Sequence, residues 1–171
     1  MAAADYFEEF GVSPAALLAR GLVRYADAGA LEIAGIGDDG REHRLAPRAA
    51  RAWRQLEAAA ARDGETLAIV SAFRSIERQA EIVRAKLRSG QSIDEILEVS
   101  AFPGFSEHHT GLAVDVSAPA CRPLTVEFEQ TSAFRWLSGH AGAHGFRLSY
   151  PRDNRFGYRF EPWHWCHDAP L

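Results

Sequence analysis

Ser106-Glu107-His108-His109-Thr110-Gly111-Leu112-Ala113-Val114-Asp115 is the densest polar stretch of this 171-residue chain, and the rest of the sequence is read outward from it. It opens in a loop, 102–110, rich in polar and turn residues. It then becomes a strand over 112–116 that carries Asp115. A second cluster, Glu161-Pro162-Trp163-His164-Trp165, stands near the C-terminal end. Imidazole and carboxylate are donors that zinc prefers, and a catalytic zinc takes three protein ligands while a fourth position stays open. One histidine from each cluster together with Asp115 makes such a set. Glu161 is then left over, three residues before His164, where a carboxylate beside a metal can take a proton from water. Spacing alone makes this suggestive only, because the chain has seven histidines and most histidines bind nothing.

Upstream, Pro14 after Ser13 opens a helix expected to run to about residue 28, with Gly29 as its stop. Segments 31–36 and 41–45 flank Gly37-Asp38-Asp39-Gly40 and read as a hairpin. Pro47 opens a second helix, apolar at Trp53, Leu56, Ala59 and Ala60 and ending near Gly64. Residues 67–72 form a short apolar run expected as a buried strand. Residues 75–88 place Ile76, Ala80, Val83 and Leu87 on one helical face. Ser92 and Glu95 fit a capping box for a short helix. Downstream, 131–144 reads as a helix closed by Gly145, and 146–150 and 158–165 as the last strands. Helices come first and strands cluster later, so the class is α+β with a small, mainly antiparallel sheet. One domain, 1–171, is expected, with its motifs in 66–168 and an N-terminal helix and hairpin in 1–65.

The net charge is -4 and no Lys/Arg-rich run occurs, so no nucleic-acid partner is expected. No stretch reaches the roughly 18 apolar residues of a membrane span. The N-terminus lacks a positive region and carries Asp5, Glu8 and Glu9. As written it is no secretory signal, so the expected location is the cytoplasm, or the periplasm or exterior if a leader has been removed. Cys121 and Cys166 are too few for a disulfide framework and are expected to be unpaired thiols. A monomer is expected.

Ser106-x-His108-x-x-Gly111-x-Ala113-x-Asp115 followed by Glu161-x-Trp163-His164 resembles the paired signature of the LAS metallopeptidases, the group of lysostaphin, the D-alanyl-D-alanine peptidases and the hedgehog proteins. Ser71-Ala72-Phe73-Arg74-Ser75, with Gln79 following, resembles a third segment, that of the D-alanyl-D-alanine carboxypeptidase (VanY-like) branch. The three motifs keep the family's order and span 71–165.

The resemblance implies a LAS/hedgehog-like fold, in which helices flank an antiparallel sheet of about four strands that carries one zinc. It implies His108, Asp115 and His164 as zinc ligands and Glu161 as general base and later proton donor. Arg74 would stabilise the developing oxyanion. Ser71, Gln79 and Ser106 would bind substrate, and Trp163 would wall the site. The reaction implied is removal of the C-terminal residue from a peptidoglycan stem peptide of the D-Ala-D-Ala type. L,D-carboxypeptidases and D,D-dipeptidases or endopeptidases share the motifs, and a non-catalytic zinc-stabilised binding module is a further alternative.

Each residue also has a plainer reading. Arg74 could be a surface ion-pair partner, Ser71 and Gln79 caps of the following helix, Ser106 a loop former and Trp163 core. His109 should diverge from its neighbour His108. His140 and His144 read as a solvated helix face, and Cys166 as a core or rim thiol.

Overall fold

The computed structural model describes residues 5–168. Its centre is β4, Ala113–Ser117, whose five residues are all buried. Val114 and Val116 point to one side of this strand and Asp115 to the other, as strand alternation requires. β4 pairs antiparallel with β3 (Ala68–Ser71) on one edge and β6 (His164–His167) on the other, and β5 (Phe146–Leu148) completes a sheet ordered β3-β4-β6-β5. The register sets Asp115 opposite His164 on β6 and opposite Ser71 on β3. Two of the sequence motifs therefore meet on neighbouring strands, and the third lies on the other edge of β4.

Helix α3 (Pro47–Arg62) buries Ala49, Ala50, Trp53, Leu56 and Ala60 in the core that also holds Val114, Val116, Phe146 and Trp165. That spacing is the helical stripe read from the sequence, and each large apolar side chain buried there contributes about 1.5–3 kcal/mol. A second core joins Phe10 and Leu17 of the short helices α1 (Tyr6–Phe10) and α2 (Pro14–Ala19) to α4 (Ile76–Arg88), α5 (Ile93–Leu97) and the loop bearing Phe102 and Phe105. β1 (Glu32–Ile36) and β2 (Glu42–Leu45) form the expected hairpin. Ser75 caps α4, and Ser92 and Glu95 complete the capping box of α5.

Three expectations fail at their ends. The first long helix stops at Ala19, since Gly21 takes a left-handed φ of 74°. The chain beyond it instead runs along the later loops, with Tyr25 N–H donating to Gly104 O at 2.7 Å and Ala28 N–H to His109 O at 2.8 Å. The 131–144 helix divides into α6 (Ser132–His140) and a 3-10 turn, Ala141–His144, ended by Gly145. The last strand begins only at His164, because 158–163 is irregular and turns at Pro162. No helix among the described residues is long and apolar enough to cross a membrane.

Candidate active site

The first motif is shaped by a 3-10 turn, Glu107–Thr110, which Ser106 caps by accepting from His108 N–H. Gly111 closes the turn at φ 67°, and a Cβ there would come within 2.9 Å of the Ala46 backbone nitrogen. Only glycine meets both demands, the left-handed angle and the close backbone approach. The turn aims His108 back over β4 toward Asp115. On the far edge of β4, β3 runs straight into Arg74, whose N–H donates to His108 O.

His108 Nε2 lies 3.2 Å from Asp115 Oδ2, and His164 Nδ1 lies 3.0 Å from Asp115 Oδ1. One ligand atom from each of the three falls within 4.8 Å of the others. The outward nitrogens are engaged: His108 Nδ1 donates to Ala72 O at 2.7 Å, and His164 Nε2 meets Glu107 Oε2 at 2.9 Å. Ligating histidines are held in just this way, the outer N–H tied to a carbonyl or carboxylate so that the inner lone pair faces the metal. Two imidazoles and a carboxylate, all buried, fit a zinc ion by donor type and by this outer anchoring.

Charge supports the same use. Burial pushes His108 below the usual histidine range, toward the neutral form that a ligand needs. Burial opposes ionisation of Asp115, but the two imidazoles hold its carboxyl well below the usual carboxylate range. Burial would also lower His164. Hydrogen bonds donated to Asp115 and Glu107 outweigh it and raise this imidazole to about 10 in the metal-free site. A metal must displace the proton held there.

Glu161 and Arg74 flank the trio. Glu161 Oε2 is 4.0 Å from His164 Nδ1, close by but outside the ligand group. Burial raises its carboxyl to about 7, with the positive charge of His164 pulling the other way. Arg74 Nη2 is 3.7 Å from Asp115 Oδ2. Its guanidinium is pinned by Nη1 donating to Gln79 Oε1 at 2.9 Å and Nη2 donating to Ser71 Oγ at 3.0 Å. Gln79 is fully buried and donates onward to Ala101 O at 2.7 Å.

This corrects one expectation. Ser71 and Gln79 are not among the residues lining the cavity; they hold Arg74, and neither caps α4. Ser106, Trp163, Glu161 and Arg74 do line it, around a volume of about 520 Å³. His109 is no ligand: its Nδ1 donates to Arg74 O at 2.6 Å and its Nε2 accepts from Gly104 N–H at 3.1 Å, so it ties two site loops together.

Sequence reading missed three contributors. Glu107 was visible only as a neighbour of His108, yet it faces the back of His164. There it also accepts from Ser149 Oγ at 2.5 Å and Arg147 Nη2 at 2.9 Å. Tyr150 places its ring 4.8 Å from that of His164, and Lys86 lines the cavity from α4. No short-range pattern marks Tyr150 or Lys86, since each reaches the site from a distant segment, and none shows which way the Glu107 carboxylate turns. Cys166 is buried beside Glu107, behind the site, and both cysteines are unpaired. His140 stacks on Trp136 with ring centroids 4.4 Å apart, away from any ligand group.

Comparison with known proteins agrees with this arrangement. The family model described as VanY, D-alanyl-D-alanine carboxypeptidase, matches residues 42–169. YodJ of Bacillus subtilis (strain 168) is 36% identical over 119 residues, which are 68% of this chain but 43% of YodJ, so the chain spans less than half of that relative. The LD-carboxypeptidase LdcB superposes with a TM-score of 0.75 at 31% identity, over 82% of this chain and 69% of LdcB. The vancomycin-resistance D,D-pentapeptidase VanY, solved as an E175A mutant in complex with Zn(II), gives a TM-score of 0.67 at 28% identity over 88% of each chain. The motif order, the strand register that brings the motifs together and these matches lead to one assignment: this chain belongs to the VanY D-alanyl-D-alanine carboxypeptidase family.

Proposed function

We propose that this chain is a zinc-dependent carboxypeptidase that removes the C-terminal residue from peptidoglycan stem peptides of the D-Ala-D-Ala type. One zinc would be held by His108 Nε2, Asp115 and His164 Nδ1. The observation that carries the reading is that Glu161 and Arg74 share one cavity with the metal-ligating trio, each on its own support. A metal site kept only for stability has no use for either. Family membership and the Zn(II) held by the related VanY support the same reading.

Zinc, when bound, supplies a Lewis acid that polarises a carbonyl and lowers the pKa of water toward about 7. Glu161 takes the proton of the attacking water on a carboxylate oxygen, holds it, and delivers it to the departing amine. Burial suits it to this, because its proton affinity is raised to about 7 and the proton can be both accepted and returned near neutral pH. Arg74 donates to the substrate carbonyl oxygen as charge builds on it. Its planar fork is already fixed by Ser71 and Gln79, so little reorganisation is needed. Trp163 and Tyr150 wall the cavity and limit water around the reacting bond.

The LdcB likeness keeps an L,D-carboxypeptidase as the second reading. Mass analysis of defined stem tetra- and pentapeptides after incubation with zinc-loaded protein decides between them. Loss of one alanine from the pentapeptide is the result expected. Loss of alanine from the tetrapeptide alone indicates L,D cleavage, and release of a dipeptide indicates a dipeptidase. Intact peptides throughout would overturn the enzyme reading.

A further inference from the structure

Two charged groups of the cavity are not used by the mechanism, Arg159, which is paired with Glu98, and Lys86. Lys86 lies one turn after Ile82 on α4, and both side chains line the cavity. Its Nζ donates to Ser100 Oγ at 2.5 Å, and among the described residues no carboxylate lies within ion-pair distance of it. An ammonium has three N–H donors, and one is spent on Ser100. The Ser100 hydroxyl, accepting from Lys86, donates to no other described residue. Lys86 thus keeps two N–H donors and Ser100 its hydroxyl proton for a group in the cavity, and a cation with unspent donors is best met by a charged acceptor, a carboxylate.

Its place in the site indicates which carboxylate. The ammonium senses the charges of Glu161 and Arg74, the two groups set to act on the scissile bond, while partial burial draws its proton affinity below the ordinary lysine value. A half-buried cation without a counter-ion is held at a cost that a bound anion would relieve. In a C-terminal substrate the anion nearest the scissile carbonyl is the α-carboxylate of the leaving residue. Ile82 and Val99 add apolar wall beside the donor pair, where a small leaving side chain would rest.

We infer that Lys86 Nζ, with Ser100 Oγ, receives the α-carboxylate of the leaving residue and so makes this chain cut at the C-terminal end of its substrate. The inference rests on the peptidase reading above. It is tested with zinc-loaded wild type, Lys86→Met and Lys86→Arg, each on one peptide as the free acid and as the C-terminal amide. Lys86→Met should lower kcat/KM on the acid roughly 10- to 100-fold, the usual worth of a hydrogen-bonded charge, and change the amide by less than about twofold. Lys86→Arg should recover most of the acid preference. An equal loss on acid and amide would reduce Lys86 to a structural part and overturn the inference. So would an unchanged acid-to-amide ratio with a lost preference for stems carrying a side-chain carboxylate. If wild type cleaves neither peptide, the peptidase reading falls. Calorimetric binding of acid and amide to the same proteins then decides the subsite: equal affinity of wild type for both overturns it, and an acid preference lost in Lys86→Met upholds it.

Discussion

Two carboxylates flank His164, and they differ in everything but chemistry. Glu107 stands behind the ring, on its Nε2 side, and accepts from His164, Ser149 and Arg147. Burial works against its ionisation, yet those partners bring its carboxyl down to about 2. Glu161 stands in front, 4.0 Å from Nδ1, without a direct hydrogen-bond donor among the described side chains, and burial raises it to about 7. The partners decide the use. A carboxylate saturated with donors is fixed in its charged form and serves to hold something, whereas one that is buried and unsaturated can exchange a proton. The rear of His164 is thus built as structure and its front is left open for chemistry.

The largest effect expected from breaking this contrast is at Glu161. Glu161→Gln keeps the size and removes the base. Hydrolysis should fall by roughly 10²- to 10⁴-fold while zinc content stays at one per chain, measured by metal analysis beside turnover. Loss of zinc in that variant would make Glu161 a ligand. Full activity would move the base elsewhere, and Glu107, buried behind His164 and outside the cavity, is poorly placed to take it over.

Arg74 comes next. Arg74→Lys keeps the charge but cannot reach Ser71 and Gln79 with two arms of one plane. Turnover should drop on the order of 10²-fold, with KM moving much less. A variant with near-normal kcat would return Arg74 to the role of a plain ion-pair partner of Asp115.

The two carboxylates should also pull stability in opposite directions with pH when the metal is removed. Glu161 has a folded value of about 7, above its unfolded 4.5. Its contribution is therefore fully present below the unfolded value and is lost as pH rises through about 7. Glu107 has a folded value of about 2, below 4.5, so its contribution is present above 4.5 and is lost as pH falls through about 2. At pH 8, metal-free Glu161→Gln should unfold at a higher temperature than wild type and Glu107→Gln at a lower one. Each difference corresponds to a stability change on the order of 3 kcal/mol. Thermal unfolding in chelator from about pH 2 to about pH 9 reads both slopes, the Glu107 one below pH 4.5 and the Glu161 one between 4.5 and about 7, and slopes of the same sign would refute the contrast.

How far the sequence carried this picture depended on the range of the interactions involved. The grouping of His108, Asp115 and His164 was legible from residue type and motif order; the β4–β6 register sets Asp115 beside His164, and the turn at Glu107–Thr110 brings His108 to them. α3 and α4 were legible from their apolar stripes and from Pro47 and Ser75 at their starts. The segment after Gly21 was misread as helix because its hydrogen bonds go to Gly104 and His109, about eighty residues away, where no local propensity reports them. The uses of Ser71 and Gln79 were misjudged for the same reason. Both do stand next to the site, but the group they face is Arg74, and only the fold shows which way their side chains turn. Glu107 was half legible: its neighbour His108 points into the site, while its own carboxylate crosses behind the turn to reach β5, β6 and Ser149.

The smallest expected effect tests the rear carboxylate as a support for the metal. Glu107→Gln can still accept from His164 Nε2 through its amide oxygen, so the ring should keep its orientation. It loses the negative charge that makes His164 a better donor on its Nδ1 face. Replacing such an outer partner typically costs about 10- to 100-fold in metal affinity, and this conservative change should fall near the lower figure. Competition with a chromophoric chelator measures the shift. At saturating zinc the variant should hydrolyse peptide within a few-fold of wild type, because neither Glu161 nor Arg74 has been touched. If zinc affinity holds and turnover collapses instead, Glu107 handles the reaction's proton and the division between the two sides of His164 is wrong. If both hold, the charge behind His164 is dispensable, and Ser149 and Arg147 alone do not need it to keep the ring in place.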